Sequence, residues 1–229
     1  MRISERLKCV AENVSKNSIV ADIGCDHAYT SIYLIKNNIA RYVYAMDVNK
    51  GPLLRAKQNV EMFDMQDKIS VILSNGLKEV KPEYNIETVL ISGMGGNLMI
   101  DILSAGKVSE IKYKELILQP QSHISDLRKF LHNNGYKIIN EEMVYEESKY
   151  YNIIKCIPGA DAEYSEDEYE YGRLLLLDRS DVFIDYLKYL CEKNNQIIVN
   201  LKEAGNQEQN ISILHNKNML LMKIIQGGS

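Results

Sequence analysis

The sequence predicts an α/β fold, in which a mostly parallel sheet with helices on both faces ends in an antiparallel hairpin and is followed by a helical hairpin. Three observations predict it. Short apolar runs alternate with helix-period segments from residue 18 to residue 133. Two β-rich runs, 136–145 and 149–157, then follow one another with only Glu146, Glu147 and Ser148 between them. Beyond Pro158-Gly159 the chain turns acidic and then carries two long segments whose apolar residues alternate by four and three.

Taken in order, residues 2–14 read as an amphipathic helix, with Ile3, Leu7, Val10 and Val14 on one stripe and Arg6 and Glu12 off it. The run 18–23 stops at Gly24 and suits a buried strand. A helix over 28–37 and a strand over 42–48 follow. Gly51-Pro52 opens a helix that continues to about Met62. Strands over 68–73 and 87–92, a helix over 95–103, a strand over 115–119 and a helix over 122–133 complete the alternation. Strand–helix alternation of this kind argues for a parallel sheet covered on both faces. Methyltransferase domains of the Rossmann-like type end in a β-hairpin, whereas nicotinamide dehydrogenase domains continue with parallel strands. The expected architecture is therefore a seven-stranded, Rossmann-like class I methyltransferase fold over residues 1–158.

Residues 159–229 form the expected second domain, a coiled-coil hairpin. The acidic stretch 161–170 reads as a linker running into a helix. Helices over 181–204 and 207–225 carry seams of Phe183, Leu187, Leu190, Asn194, Ile197 and Leu201, and of Ile211, Leu214, Asn218, Leu221 and Ile225. Gly205 stands where a terminator is wanted, and Asn206 with Gln209 has capping-box spacing. A fold about position 206 brings Asn194 level with Asn218, so the two amides are expected to pair inside the seam.

Composition bounds the function. With 45% hydrophobic residues and 15 Tyr in 229 residues, the chain can bury a proper core. No run approaches the roughly 20 apolar residues that span a bilayer, and residues 1–14 lack the unbroken apolar stretch of a signal peptide. A cytoplasmic protein without a membrane segment is expected. Cys9, Cys25, Cys156 and Cys191 are scattered, with no CxxC and no nearby His at ligand spacing, so reduced thiols and no metal site are expected. Net charge is −4, divided as +1 over residues 1–158 and −5 over 159–229. Phosphate attraction needs a local patch rather than a whole-domain charge, so composition is silent on nucleic acid.

The chemistry stands at the carboxyl ends of predicted strands, where open α/β sheets bind ligands. Asp22-Ile23-Gly24-Cys25-Asp26-His27-Ala28-Tyr29 is a turn into a helix whose first N–H groups are free. The dinucleotide fingerprint would need glycine at positions 26 and 29, which hold Asp26 and Tyr29. An acid there would repel a pyrophosphate but suits a sulfonium cofactor, so the turn favours S-adenosyl-L-methionine over NAD. Asp47, 25 positions beyond Asp22, is placed to accept the ribose hydroxyls, with Val48 beside it. Asn75 and Gly76, after the third strand, are placed to frame the adenine. Gly93, Met94, Gly95 and Gly96 follow the fourth strand and leave room for a flat base. Gln119 and Gln121 follow the fifth, where their amides could read a base edge or cap the next helix.

With Leu118-Gln119-Pro120-Gln121 and Gly135-Tyr136 closing on Glu141-Glu142, these motifs resemble the bacterial TrmK family of tRNA (adenine-N1)-methyltransferases. The resemblance covers nearly the whole chain, including a coiled-coil tail. It implies methyl transfer to adenine N1 at position 22 of the tRNA D-arm, on a base turned out of its stack. Two departures stand out. Asn75 holds a position where the family pattern usually has Asp, and Arg173 one where a proline often stands.

Adenine N1 carries a free lone pair at neutral pH, so in-line transfer needs positioning more than a base. Asp26 is the candidate to stabilise the cation that develops on the ring, His27 to donate to the base or brace the loop, and Tyr29 to stack or line the pocket. The tail could dock tRNA, with Lys188, Lys193, Lys202, Lys217 and Lys223 on one basic face, or orient a weak homodimer rather than a monomer. A small-molecule methyltransferase would usually cover its pocket with extra helices, whereas here the spare residues form a remote tail. A non-catalytic scaffold would not need Asp22, Asp47 and an open glycine wall.

Overall fold

The computed structural model describes residues 3–107, 111, 113–205 and 208–227. Ser18–Ile23 forms strand β1 because its residues are apolar on both sides. Val20 packs with Ile32, Val43 and Leu90 on one face, while Ala21 and Ile23 pack with Val89, Met99 and Leu116 on the other. Strands with both faces buried read as continuous apolar runs. The same holds for Ala40–Asp47 (β2), Thr88–Met94 (β4) and Glu115–Pro120 (β5), with the shorter Ile69–Leu73 (β3) at one edge.

Tyr136–Glu146 (β6) and Lys149–Pro158 (β7) complete a seven-stranded sheet in the order β3-β2-β1-β4-β5-β7-β6. The first five strands are parallel, and β7 runs antiparallel to both β5 and β6. Glu5–Glu12 (α1), Tyr29–Lys36 (α2) and Lys50–Met62 (α3) supply Val10, Ile32 and Ala56 to one face of the sheet. Gly96–Ala105 (α4) and Ile124–Asn133 (α5) supply Met99, Leu103, Leu127 and Leu131 to the other. Strand order reverses between β1 and β4, which opens a crevice at their carboxyl ends.

Local chemistry sets the ends. The hydroxyl of Ser4 accepts the Leu7 N–H at 3.2 Å and starts α1 three residues later than the apolar stripe suggests; Arg2 lies outside the described residues. A 3₁₀ turn at Pro82–Tyr84 has no counterpart in the expected elements.

The acidic stretch runs into a helix, as its pattern predicts, and that helix is tied down. Ser165 and Glu168 form a reciprocal capping box that starts a helix at Glu166–Tyr171 (α6). The buried guanidinium of Arg128 holds it, with Nε donating to Glu141 at 2.8 Å and Nη1 to the carbonyls of Tyr169 and Glu170 at 2.8 and 3.1 Å. The first compact unit consequently extends to Leu174, beyond the boundary expected after residue 158.

The second unit, Leu175–Ser229, contains most of a short helix at Arg173–Asp178 (α7) and the two long helices Asp181–Ala204 (α8) and Glu208–Ile225 (α9). Asn194 Nδ2 donates to Asn218 Oδ1 at 2.8 Å, the pairing the seam requires, and Asn218 Nδ2 donates in turn to Asn195. Ile198, not Ile197, is the buried residue of the next turn. The stripe advances by four there, as a periodicity of about 3.6 permits. Arg179 closes the unit by donating to the carbonyls of Ile224 and Ile225. The proposed cap at Asn206 lies outside the described residues.

The side chains of Arg128 and Glu141 are 1% and 0% exposed, so removing one partner strands the other. Arg128→Met should lower stability by about 3–5 kcal/mol in urea denaturation, and adding Glu141→Leu should recover much of the loss.

Candidate active site

The turn after β1 is held to the end of β2. Gly24 and Cys25 donate their N–H groups to the Met46 carbonyl at 2.8 and 3.0 Å, and the Asp26 N–H donates to Asp47 Oδ2 at 3.3 Å. Bringing the chain over β2 in so few residues needs three left-handed positions, Gly24 at φ +73°, Asp26 at +48° and Ala28 at +60°. Ala28 carries the conformation at a cost of about 1–2 kcal/mol, a strain that characteristically collects at functional sites. Gly24 suits the turn through its positive φ, and a Cβ there would also lie 2.2 Å from the Met94 methyl group, which would have to move aside.

Around this turn lies a cavity of about 500 Å³, lined from the ends of β1, β2, β3 and β4 and from α1 and α4. That volume is in the usual range for a small-molecule or cofactor site. Asp22, Gly24, Cys25, Asp26, His27, Tyr29, Asp47, Val48, Asn75, Gly76, Gly93, Met94 and Gln121 all line it. One wall is acidic. Asp22 is 3% exposed and accepts from Ser31 Oγ at 2.6 Å. Burial, only partly offset by that hydrogen bond, pushes its carboxyl up to about 6.

Asp47 accepts the Asn49 N–H at 2.8 Å on one oxygen and the Asp26 N–H on the other. Each oxygen keeps a lone pair for a further donor. The Asp26 carboxylate is largely exposed and stands 3.6 Å from His27 Nε2, while His27 Nδ1 is buried without a partner among the described residues. Tyr29 is exposed and meets the His27 ring edge-on at 5.8 Å.

The opposite wall is made at β4, where the register with β5 shifts between Ser92 and Met94 and Gly93 takes φ +79°. Three of the expected residues support this wall from behind. Gln119 has no exposed surface, and its Oε1 accepts from Gly93 N–H at 3.1 Å, Ser92 Oγ at 3.2 Å and Arg6 Nη1 at 2.7 Å. It therefore shapes the wall and has no access to a base, which corrects the base-reading role expected for it. Gly95 and Gly96 also stand off the cavity lining. A Cβ on Gly96 would lie 2.5 Å from the His123 carbonyl oxygen, so this glycine permits close packing of the β4 and β5 loops.

Sequence reasoning missed Arg6, Asn49, Leu98 and Ile102, all of which line the cavity. Arg6 stood out only as the charged residue off the apolar stripe of α1. Nothing in its spacing announces that this face turns toward Gly93. Among the described residues, no group of three or more His, Cys, Asp or Glu could hold a metal ion, and all four cysteines are free. No described helix is long and apolar enough to cross a membrane.

Comparison with known proteins accords with this geometry. Residues 3–154 match the family model described as a methyltransferase domain. Over its full length the chain is 32% identical to the tRNA (adenine(22)-N(1))-methyltransferase of Bacillus subtilis, covering 99% of that protein. Among solved structures, Streptococcus pneumoniae Sp1610 in complex with S-adenosyl-L-methionine matches at a TM-score of 0.87 and 31% identity, over 98% of this chain and 100% of that one. The TrmK of M. capricolum in complex with S-adenosyl-homocysteine matches at 0.86 and 30%, over 99% of each chain.

Because the folded protein holds the Asp22 carboxyl near 6, above its unfolded value near 3.8, the protonated form is favoured in the fold. Its contribution to stability is complete below the lower value and is lost as pH rises through the upper one. Asp22→Asn should therefore match the wild type at about pH 3 and exceed it by roughly 2–4 kcal/mol at pH 8, read from urea midpoints without ligand.

Proposed function

The chain belongs to the tRNA (adenine(22)-N1)-methyltransferase family, and from that premise we propose that it methylates N1 of the adenine at position 22 in the tRNA D-arm. The donor is S-adenosyl-L-methionine, and it supplies a methyl group on a sulfonium cation. One observation carries the reading: Asp22, Asp26 and Asp47 line a cavity whose turn has no glycine-rich cradle for phosphate. Carboxylates in that arrangement favour a cationic ligand.

The residues fit that ligand. Asp47 has one lone pair free on each oxygen for the two ribose hydroxyls, and its existing bonds to Asn49 and Asp26 fix its orientation. Helix α2 starts at Tyr29 after Ala28, which gives it no side-chain cap and leaves its first N–H groups for a carboxylate. Buried Asp22 offers its charge to an ammonium or sulfonium. Asn75 and Gly76 border the place left for adenine, and Ile102 closes that side, 3.0 Å from where a Cβ on Gly76 would sit.

The substrate base enters between Gly93-Met94 and the Asp26-His27-Tyr29 turn. Adenine N1 attacks with its own lone pair, so these residues hold the reacting atoms in line, roughly 3–3.5 Å apart, and no residue need remove a proton first. Ring charge rises as the bond forms. Exposed Asp26 stabilises that charge or accepts from the N6 amine. His27 supports Asp26 from 3.6 Å and Tyr29 packs against His27. Gln121 is the amide left on the substrate side. A paired or stacked D-arm adenine is turned outward to reach this position. In this reading the protein works in the cytoplasm, as a monomer or weak homodimer, and its coiled-coil unit serves either tRNA docking or that self-association.

Incubation with labelled S-adenosyl-L-methionine and unmodified tRNA, followed by nucleoside analysis, should place the label in 1-methyladenosine. Label in protein or metabolites would overturn the reading. Asp26→Ala should lower turnover on the order of a hundredfold while cofactor affinity by calorimetry stays within about threefold. Asp47→Ala should weaken cofactor binding by about 10- to 100-fold. Affinity for the cationic donor should rise with pH through about 6 as Asp22 ionises, and Asp22→Asn should flatten that rise.

A further inference from the structure

Methyl transfer accounts for the acidic wall but not for the cation opposite it. Arg6 lies on the first turn of α1, is half-buried, and lines the cavity beside Gly93 and Gln121. Its Nη1 donates to Gln119 Oε1 at 2.7 Å and to Ser92 Oγ at 3.0 Å, and its guanidinium carbon stands 5.3 Å from the centroid of the Tyr151 ring. The Glu5 N–H donates to Glu146 Oε1 at 2.8 Å, so the same turn is also tied to the β6–β7 hairpin. A side chain with this many attachments is held in one orientation before any ligand arrives.

The chemistry of the reaction makes that position costly. Donor and methylated base are both cations, and a fixed guanidinium beside them repels both. No carboxylate among the described residues forms an ion pair with Arg6. Its contacts occupy Nη1 and one face of the plane. Nε and Nη2, which carry three N–H donors between them, have no protein acceptor among the described residues, and neither is a sealed, unsatisfied atom. A preorganised guanidinium with an open edge is a binding group for an oxyanion, and a planar fork is the geometry that phosphate accepts. A nucleotide turned out of its stack carries its flanking phosphates to the mouth of the pocket that receives its base.

We propose that Arg6 takes a backbone phosphate of the RNA strand beside the target nucleotide and thereby sets how deeply the base enters between Gly93 and Asp26. The proposal rests on the reading of the chain as a tRNA methyltransferase. It makes Arg6 a substrate-positioning residue, with Ser92, Gln119 and Tyr151 as its mount.

The test uses the full chain with unmodified tRNA, measuring tRNA affinity between about 50 and 200 mM salt, cofactor affinity by calorimetry, and 1-methyladenosine formation. Arg6→Gln keeps an amide donor for the wall and loses the charge. It should bind tRNA about tenfold more weakly, with the slope of log affinity against log salt smaller by about 0.7–1. Its cofactor affinity should stay within about twofold, which also reports an intact fold. Arg6→Lys keeps the charge and should keep the wild-type slope. An unchanged slope and affinity in Arg6→Gln, with turnover alone reduced, would mean that Arg6 only braces the wall and would overturn the proposal, as would a lost slope in Arg6→Lys. Wild-type protein that neither binds nor methylates tRNA would instead remove the functional reading, and this proposal with it.

Discussion

The cavity depends on one attachment, that of the turn at residues 24–28 to the carboxyl end of β2. Two N–H groups reach the Met46 carbonyl and a third reaches the Asp47 carboxylate. Without them, three residues at positive φ would have no reason to stay there. Asp47 is a strut of this attachment and also lines the cavity, so the order of the turn and the shape of the cavity are physically coupled. Met94 in turn packs where a side chain on residue 24 would sit, which joins the turn to the wall built on β4.

Charge is distributed across the cavity in a way that separates two tasks. Three carboxylates stand at the ends of β1 and β2, one of them buried deeply enough to hold its proton to about pH 6. The braced guanidinium of Arg6 stands across from them at β4. Acid on one side attracts a cationic donor, and base on the other suits a polyanionic acceptor molecule. The chain's net charge of −4 conceals this division because each side involves only a few residues.

The buried polar groups away from the cavity have a different purpose. Arg128 and Glu141 bind the capped segment 165–171 to the sheet unit, and the amides of Asn194, Asn195 and Asn218 interlock within the second unit. In both places a polar group that would be costly to bury alone is satisfied by a specific partner. Such groups select one register or docking position among several that apolar contacts would tolerate.

Much of this was legible in the residues themselves. Alternating apolar runs specify the parallel strands and their helices, the short 146–148 connection specifies the antiparallel hairpin, and Asp22, Asp26 and Asp47 announce an acidic cofactor turn. These features, the carboxylates included as residues that line one cavity, depend on local spacing, and local spacing is written directly in the chain. The role of Gln119, the approach of Arg6 to Gly93 and the docking of 165–171 onto Arg128 are contacts between residues far apart in sequence. Only the folded sheet brings α1 across the end of β4, and only that packing turns an amide at a strand end inward and an off-stripe arginine toward the cavity. Sequence determined which chemistry was available at the strand ends, and tertiary packing decided which of those groups line the cavity and which hold the others in place.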